Sequence, residues 1–218
     1  MIVLGMPVSR PRRRAPSVRM QRRRDATRVA ILRAAGRIFR ERGFAETSMR
    51  DIAAAADLSV ANLYHHFAGK DEILFFCQDR SLDLMLAAVA EARRLHASGP
   101  ARLRHVLRAH GEAVLDEVEG AVAHLATEAL SEPLRRRIVA KRDRYERALR
   151  SLVAAGAKPG AINGDVAVLT RAMLGALNWT TTWFRPEGER TAAAVANTIA
   201  DYLVRGLDAP PSRVARQR

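Results

Sequence analysis

The chain has 218 residues, 48% of them hydrophobic but only 5% aromatic, and it carries a formal net charge of +14. Its length allows one large or two small domains, and its abundance of Ala, Leu and Arg favours helices over sheets. The lone Cys77 excludes an internal disulfide framework, and the absence of an apolar run of about 20 residues excludes a membrane span, so we expect a soluble, cytoplasmic, all-α protein.

The positive charge is concentrated in the first 24 residues, which contain eight arginines and no acidic residue. The rest of the chain is only mildly basic, with a net charge of +6. Three prolines and the lack of periodicity predict that residues 1–24 form a disordered basic arm. Two roles stay open for it: contact with DNA phosphates or the minor groove, or a solubilising tail. Met20 is an alternative start of the chain.

Two short helices separated by a turn are predicted next. Ser48 with Asp51 three residues later is typical of a capped helix start, and this helix should end near Ala55. The segment 57–59 then supplies a turn and a second N-cap, so that a second helix covers about 60–67.

The second helix presents a polar face at its start, where a recognition helix enters the major groove. Asn62 suits an adenine edge, while hydroxyl, phenol and imidazole groups suit phosphates or bases, and Lys70 at the next helix start suits a phosphate. A helical hairpin inside a packed core would not use this outward polar set. The predicted DNA-binding residues are Thr47, Ser48, Ser59, Val60, Ala61, Asn62, Tyr64, His65 and Lys70.

Three linked segments, ILRAAGRIFRERGF, TSMRDIAAAADLSVANLYHHF and GKDEIL, resemble the DNA-binding domain of the TetR family of bacterial repressors over about 27–74. The resemblance implies a three-helix helix-turn-helix head over 25–74. It also implies a helical effector-binding and dimerisation domain over 75–207, and a homodimer that binds a palindromic operator in double-stranded DNA. A disordered tail is expected over 208–218.

Helical periodicity continues beyond the head. Apolar repeats predict helices around 82–89, over 103–118 with continuation to about 130, from the cap at 131–133 to about 152, from Asp165 to about 184, and over 195–207. The last two helices are apolar and joined by a short loop, which favours an antiparallel hairpin. In the TetR-like arrangement, this hairpin packs on its copy as a four-helix dimer interface.

A cluster of Trp179, Trp183 and Phe184, interleaved with threonines, has the composition of a small-molecule pocket, although such a cluster also suits a core. The other predicted pocket residues are Met85, Leu86, His110, His124 and Leu125. The segment GALNWTTTWFRPEG resembles the matching part of TetR-like repressors that sense acyl-CoA thioesters or lipids. These residues favour an effector with a sizeable apolar part, such as an acyl thioester.

The leading functional hypothesis is therefore a homodimeric, ligand-responsive transcriptional repressor. An architectural DNA-binding protein without an effector is the alternative, and a non-specific, salt-driven affinity would favour it. An all-helical enzyme is the third hypothesis. The sequence shows no nucleophile and base pair, no phosphate-binding glycine loop and no metal-binding histidine spacing, so we predict no catalytic residues, cofactor or metal.

Overall fold

The computed structural model describes residues 18–115, 127–156 and 165–207. Within these ranges the chain forms eight α-helices and no strand, which confirms the all-α prediction. The helices are α1 (Val18–Arg42), α2 (Met49–Ala55), α3 (Val60–His66), α4 (Lys70–Arg94), α5 (Gly99–Leu115), α6 (Glu132–Gly156), α7 (Val166–Trp183) and α8 (Ala192–Gly206). The predictions for residues 1–17, for His124 and Leu125, and for the tail at 208–218 lie outside the described residues.

The head consists of α1, α2, α3 and the first turns of α4. Its core contains Ile31 and Phe39 from α1, Ile52 from α2 and Leu63 from α3, all at most 1% exposed. Both predicted N-caps are present, at Ser48 and Ser59. The turn between α2 and α3 needs a left-handed residue, and Asp57 takes this conformation with φ of 54°, which a short polar side chain tolerates better than a branched one.

Helix α1 begins earlier than the sequence pattern suggested, at Val18 instead of near Asp25. Residues 18–24 are all exposed, so they have no apolar periodicity to detect. They nevertheless contain good helix formers and no proline or glycine, and the Gln21 amide donates to the Asp25 carboxylate at 3.0 Å, one helical turn away. Part of the predicted disordered arm is therefore helical.

Helix α4 is one continuous helix of 25 residues that runs from the head into the body. The boundary expected near residue 74 falls inside this helix. Its N-terminal part buries Ile73 and Leu74 with the head, and its later turns bury Leu82, Met85 and Val89 in the body. Lys141 of α6 ties this helix to the body, since its ammonium group lies 2.6 Å from the Asp79 carboxylate and 2.8 Å from that of Asp83.

Helix α5 is the centre of the body and packs against α4, α6, α7 and α8. The crossing of α5 and α8 depends on small residues, because a Cβ atom at Gly111 would lie only 2.8 Å from the Cβ atom of Ala196. At the edge of the same crossing, the Arg104 guanidinium binds the Asp201 carboxylate. Helix α6 covers one side with the predicted apolar stripe, in which Ile138 and Leu149 are fully buried. None of the described helices is long and apolar enough to cross a membrane.

The close packing of α5 on α8 predicts how a substitution at Gly111 affects stability. We expect Gly111→Ala to lower the free energy of unfolding by roughly 1 kcal/mol, because overpacking costs about 1–3 kcal/mol and the better helix propensity of alanine returns only about 1. Thermal and urea denaturation measure the change. Gly206→Ala is the control, since nothing lies within 4 Å of an added Cβ atom there. Equal stability of the two variants would contradict the close crossing.

Candidate DNA-binding and effector sites

The start of α2 is fixed by a reciprocal capping box. The Ser48 backbone N–H donates to the Asp51 carboxylate at 2.8 Å, and the Asp51 N–H donates to the Ser48 hydroxyl at 3.2 Å. The hydrogen bonds from Ser48 hold the pKa of Asp51 below its usual value, and the nearby Arg42 acts in the same direction. The cap thus holds an ionised carboxylate at the positive helix terminus.

The orientation of α3 is set by two buried side chains. Leu63 is fully buried and Phe67 is 1% exposed. The guanidinium group of Arg28 lies over the Phe67 ring at 4.7 Å and over the Phe76 ring at 4.5 Å. Because this face of α3 is held against α1 and α4, the opposite face must point to solvent.

The exposed face of α3 carries the polar groups predicted from the sequence. Tyr64 is 54% exposed, and the Ser59 hydroxyl accepts from the backbone N–H of Asn62 at 3.2 Å. Val60 is partly buried at the edge of this face. We call this exposed set the α3 face; it consists of Ser59, Ala61, Asn62, Tyr64 and His65. Its shape and its hydrogen-bonding groups suit the major groove and the flanking phosphates.

Positive charge lies beside the end of α3. Burial lowers the pKa of His66, and the nearby guanidinium groups of Arg24 and Arg28 lower it further. The N-terminal turns of α1 therefore run next to α3. The exposed side chains of Arg19, Arg22 and Arg23 lie on the same turns. These arginines make the surroundings of the α3 face favourable for a polyanion.

A cavity of about 400 Å³ opens in the body between α4, α5, α6 and α7. This volume is within the range typical of small-molecule sites. Its lining mixes apolar and polar side chains: Gln78, Ser81, Leu82, Met85, His110, Val114, Thr127, Glu128, Arg142, Tyr145, Glu146, Leu174 and Asn178. We call this space the body cavity.

A buried hydrogen-bond chain crosses the body cavity and joins three helices. The Nδ1 atom of His110 lies 3.0 Å from the Tyr145 hydroxyl, and its Nε2 atom lies 2.9 Å from the Asn178 side-chain oxygen. Burial raises the pKa of Tyr145 far above its ordinary value, so its hydroxyl stays protonated and can donate.

A second surface feature is an apolar face on the α7–α8 hairpin. The buried side of α7 contains Thr170, Met173, Leu177 and Thr180, so positions on the opposite side point outward. We call this outward surface the hairpin face; its large members are Val168, Trp179, Trp183 and Tyr202, between 49% and 73% exposed.

Two family models match the chain. One, described as bacterial regulatory proteins of the tetR family, covers residues 31–75, which include α2, α3 and the capped turn. The other, described as the tetracyclin repressor-like C-terminal domain, covers residues 96–207 and so spans more than half of the chain. The chain belongs to the TetR family of bacterial transcriptional regulators.

Individual TetR-family proteins match most of the chain. The HTH-type transcriptional repressor KstR2 of Rhodococcus jostii is 28% identical over 199 residues, which are 86% of this chain and 94% of that protein. The crystal structure of PfmR from Thermus thermophilus superposes with a TM-score of 0.70 at 36% identity, covering 81% of this chain and 98% of PfmR. AibR, solved with isovaleryl coenzyme A and operator DNA, gives a TM-score of 0.67 at 28% identity, covering 85% of this chain and 100% of AibR.

Two residues predicted to contact DNA instead form hydrogen bonds within the head of this TetR-family protein. Thr47 is 2% exposed, and its hydroxyl donates to the Gly43 carbonyl at 2.7 Å. The Lys70 ammonium donates to the carbonyls of Phe44, Ala45 and Thr47 at 2.8, 3.0 and 2.9 Å. These bonds use all three Lys70 donors, so in this structure both side chains hold the turn between α1 and α2, and a contact of either one with DNA stays a prediction.

The predicted pocket residues do not all line one cavity. Met85 and His110 line the body cavity. Leu86 faces a separate, shallow groove between α4 and α6. Trp179 and Trp183 lie on the hairpin face, away from the cavity, because Leu177 and Thr180 occupy the inward side of α7.

Phe184, the last of the predicted pocket residues, lies at the junction of body and head. It lines a groove there with Ala34 of α1 and Ala55 of α2. The aromatic cluster therefore does not form a single wall of the body cavity.

The cavity residues that sequence reasoning missed are mainly polar side chains on apolar helix stripes. Gln78 and Ser81 lie on the same stripe of α4 as Leu74, Leu82 and Met85, and both are 1% exposed. Asn178 follows Leu177 on α7. A polar residue that interrupts an apolar stripe is the signal that could have identified these positions.

The hydrogen bonds of Lys70 predict a role in stability, which can be distinguished from a role in phosphate binding alone. We expect Lys70→Met to lower the free energy of unfolding of the DNA-free protein by about 2 kcal/mol, because three carbonyls lose hydrogen bonds to a charged donor. Arg50→Met, an exposed change on α2, is the matched control and should leave stability unchanged. Thermal denaturation decides: a Lys70 that only contacts phosphate would leave the melting temperature of the free protein unaltered.

Proposed function

We propose that this TetR-family chain is a homodimeric transcriptional repressor. In this proposal, the α3 face of each protomer binds one half of a palindromic operator, and a small molecule in the body cavity releases the DNA. The observation that carries the proposal is the combination of an exposed polar α3 face and a body cavity that share one continuous helix, α4.

The DNA contacts follow from the geometry of the head. Ala61, Asn62 and Tyr64 are exposed at the start and middle of α3, where side chains reach base edges in a helix-turn-helix protein. Ser48 is exposed at the start of α2 and suits a phosphate. The exposed arginines at the start of α1 favour further phosphate contacts, and the residues before Val18 would extend this basic segment.

The hairpin face supports the proposed dimer. Three large side chains of α7 and one of α8 are exposed, and exposed apolar side chains that form a patch mark association surfaces. A second copy of the same hairpin is the occupant we propose, because a two-fold axis lets one patch cover its own copy. The resulting dimer would hold two α3 faces at a fixed separation.

The coupling of ligand to DNA depends on α4. The body cavity is lined by Gln78, Ser81, Leu82 and Met85 of this helix, whose first turn lies in the head. Recognition helices must be separated by about 34–36 Å, or a multiple of a helical turn, to read two half-sites. A ligand that binds better to a form with another separation would therefore release the operator.

We propose an acyl compound as the effector, such as an acyl thioester. The support is the likeness to AibR, whose structure contains isovaleryl coenzyme A and operator DNA. A cavity of about 400 Å³ with Leu82, Met85, Val114 and Leu174 in its lining suits an acyl chain.

The DNA-binding part of the proposal is tested by two substitutions on the α3 face. Asn62→Ala and Tyr64→Ala should each weaken binding to a specific operator by roughly 5- to 150-fold, since one good base or phosphate contact is worth about 1–3 kcal/mol. Fluorescence anisotropy with operator and scrambled DNA is the measurement, and Arg144→Ala, exposed on α6, is the control. Equal affinity of the parent protein for operator and scrambled DNA would favour an architectural, effector-independent DNA-binding protein instead.

The dimer is tested by a charge on the hairpin face. Trp179→Glu and Tyr202→Glu should convert the dimer to monomers in sedimentation velocity, because a carboxylate would be buried without a partner at the interface. Leu84→Glu is the matched control, since Leu84 is an exposed apolar residue of α4 outside the hairpin face. A dimer that persists in both hairpin variants would place the interface elsewhere.

A further inference from the structure

The body cavity has polar groups from each of its four helices. Ser81 comes from α4, His110 from α5, Arg142 and Tyr145 from α6, and Asn178 from α7. Some of these groups bond one another, but the buried Ser81 hydroxyl has no hydrogen-bond partner among the described residues, and a purely apolar ligand would leave it unsatisfied at a cost in free energy. The chemistry of the cavity thus restricts the polar part of the ligand as well as its apolar part.

The buried hydrogen-bond chain determines what Asn178 offers to a ligand. Its side-chain oxygen can only accept, so the Nε2 atom of His110 carries the proton of that 2.9 Å hydrogen bond. The Nδ1 atom of His110 then accepts from the protonated Tyr145 hydroxyl at 3.0 Å. With the oxygen of Asn178 engaged, its amide N–H groups remain as donors, and no side chain in the described ranges accepts from them.

Arg142 brings positive charge to the same cavity. Burial lowers the pKa of its guanidinium group, and the carboxylate of Glu128 offsets part of this effect. Glu128 is exposed and Arg142 is partly buried, so water screens part of the attraction between them. A negatively polarised ligand oxygen would stabilise the charged form of Arg142 further.

Ser81 adds a third hydrogen-bonding position. It is 1% exposed, and its hydroxyl has no hydrogen-bond partner among the described residues. Buried hydroxyl groups normally have a partner. A ligand oxygen in the cavity would supply one.

We propose that the body cavity recognises an acyl compound by its oxygen end. A carboxylate or thioester carbonyl oxygen accepts hydrogen bonds from the Asn178 amide, the Arg142 guanidinium and the Ser81 hydroxyl. The acyl chain packs against Leu82, Met85 and Leu174. This inference rests on the proposed effector role of the cavity and adds the chemical group that is recognised, which a free acid and a coenzyme A thioester share.

The test compares ligands that share an apolar part and differ in the group at its end. Binding of octanoate, 1-octanol and octanoyl-CoA, and of 3-phenylpropanoate and 3-phenylpropanol, is measured by isothermal titration calorimetry on the full chain, with coenzyme A as a control. We expect at least one acyl compound to bind about tenfold or more tightly than its alcohol. Tighter binding of octanoate than of octanoyl-CoA identifies the free acid as the ligand class. Tighter binding of octanoyl-CoA than of both octanoate and coenzyme A identifies the thioester. An alcohol that binds as well as each acyl compound, or no binding by any of them, would overturn the proposal.

Four variants test which residues determine the preference for the acyl compound. Asn178→Asp retains an acceptor for His110 but removes the amide donors, and Arg142→Met removes the charge, so each should abolish the preference for the acyl compound. Arg144→Met, an exposed change two residues along α6, should retain it. Glu128→Gln removes a competing carboxylate and should tighten binding of the preferred acyl compound severalfold, which decides the case even if a cavity variant fails to fold. Unchanged preference in both cavity variants, or weaker binding by Glu128→Gln, would overturn the assignment.

Failure of this inference is distinguishable from failure of the proposed function. Ligand binding is measured without DNA, and operator binding is measured without ligand. A protein that selects acyl compounds but has no preference for operator DNA would reject the repressor proposal and retain the recognition chemistry. A protein that binds operator DNA specifically, but whose cavity does not discriminate acid from alcohol, would reject the recognition chemistry and retain the repressor proposal.

Discussion

The ammonium group of Lys70 holds the first turn of α4 against the turn between α1 and α2. Its three hydrogen bonds end on backbone carbonyls of Phe44, Ala45 and Thr47, and its charge lies 4.6 Å from the centre of the Phe44 ring. The same turn leads directly into the capping box of α2. The position of α2 and α3 relative to α4 thus depends in part on one cation that binds three carbonyls of the turn between α1 and α2.

From this attachment, α4 runs without a break into the body, where Lys141 of α6 binds Asp79 and Asp83 and where the body cavity begins. A rigid helix with fixed contacts at both ends can transmit a small displacement, provided that ligand binding favours one of two packing arrangements. The His110 hydrogen-bond chain connects α5, α6 and α7 across the cavity. A ligand that joins this chain would act on the positions of all three helices around α4.

Local sequence patterns predicted the head well because its determinants are local. Ser48 with Asp51 and Ser59 with Asn62 are neighbours in sequence, so both helix starts follow from capping chemistry. The buried partners Leu63 and Phe67 follow from helical spacing, and they fix the exposed side of α3. The hydrogen bonds of Thr47 and Lys70 to carbonyls in the turn after α1 were not predicted, and for Lys70 they depend on how the chain folds back.

The body was less predictable for a related reason. Helical periodicity separates the two sides of α7, yet it does not tell which side faces the protein, so Trp179 and Trp183 were placed in the pocket although they lie on the hairpin face. The cavity residues Gln78, Arg142 and Asn178 come from three helices that are far apart in sequence, and only their packing brings them together. The helical part of residues 18–24 was missed for a different reason, because an exposed helix without an apolar stripe gives no periodic signal.

The central claim, that a ligand in the body cavity changes the separation of the two heads, is tested most directly by a distance measurement between them. A spin label at Glu46→Cys, exposed beside α2, gives one label per protomer, because the native Cys77 is 1% exposed. Double electron–electron resonance then reports the inter-head distance with operator DNA and with the acyl compound that binds the cavity. We expect a narrow distribution on the operator and a displaced one with saturating ligand. The same distribution in both states, while the ligand still releases the operator, would contradict coupling through α4.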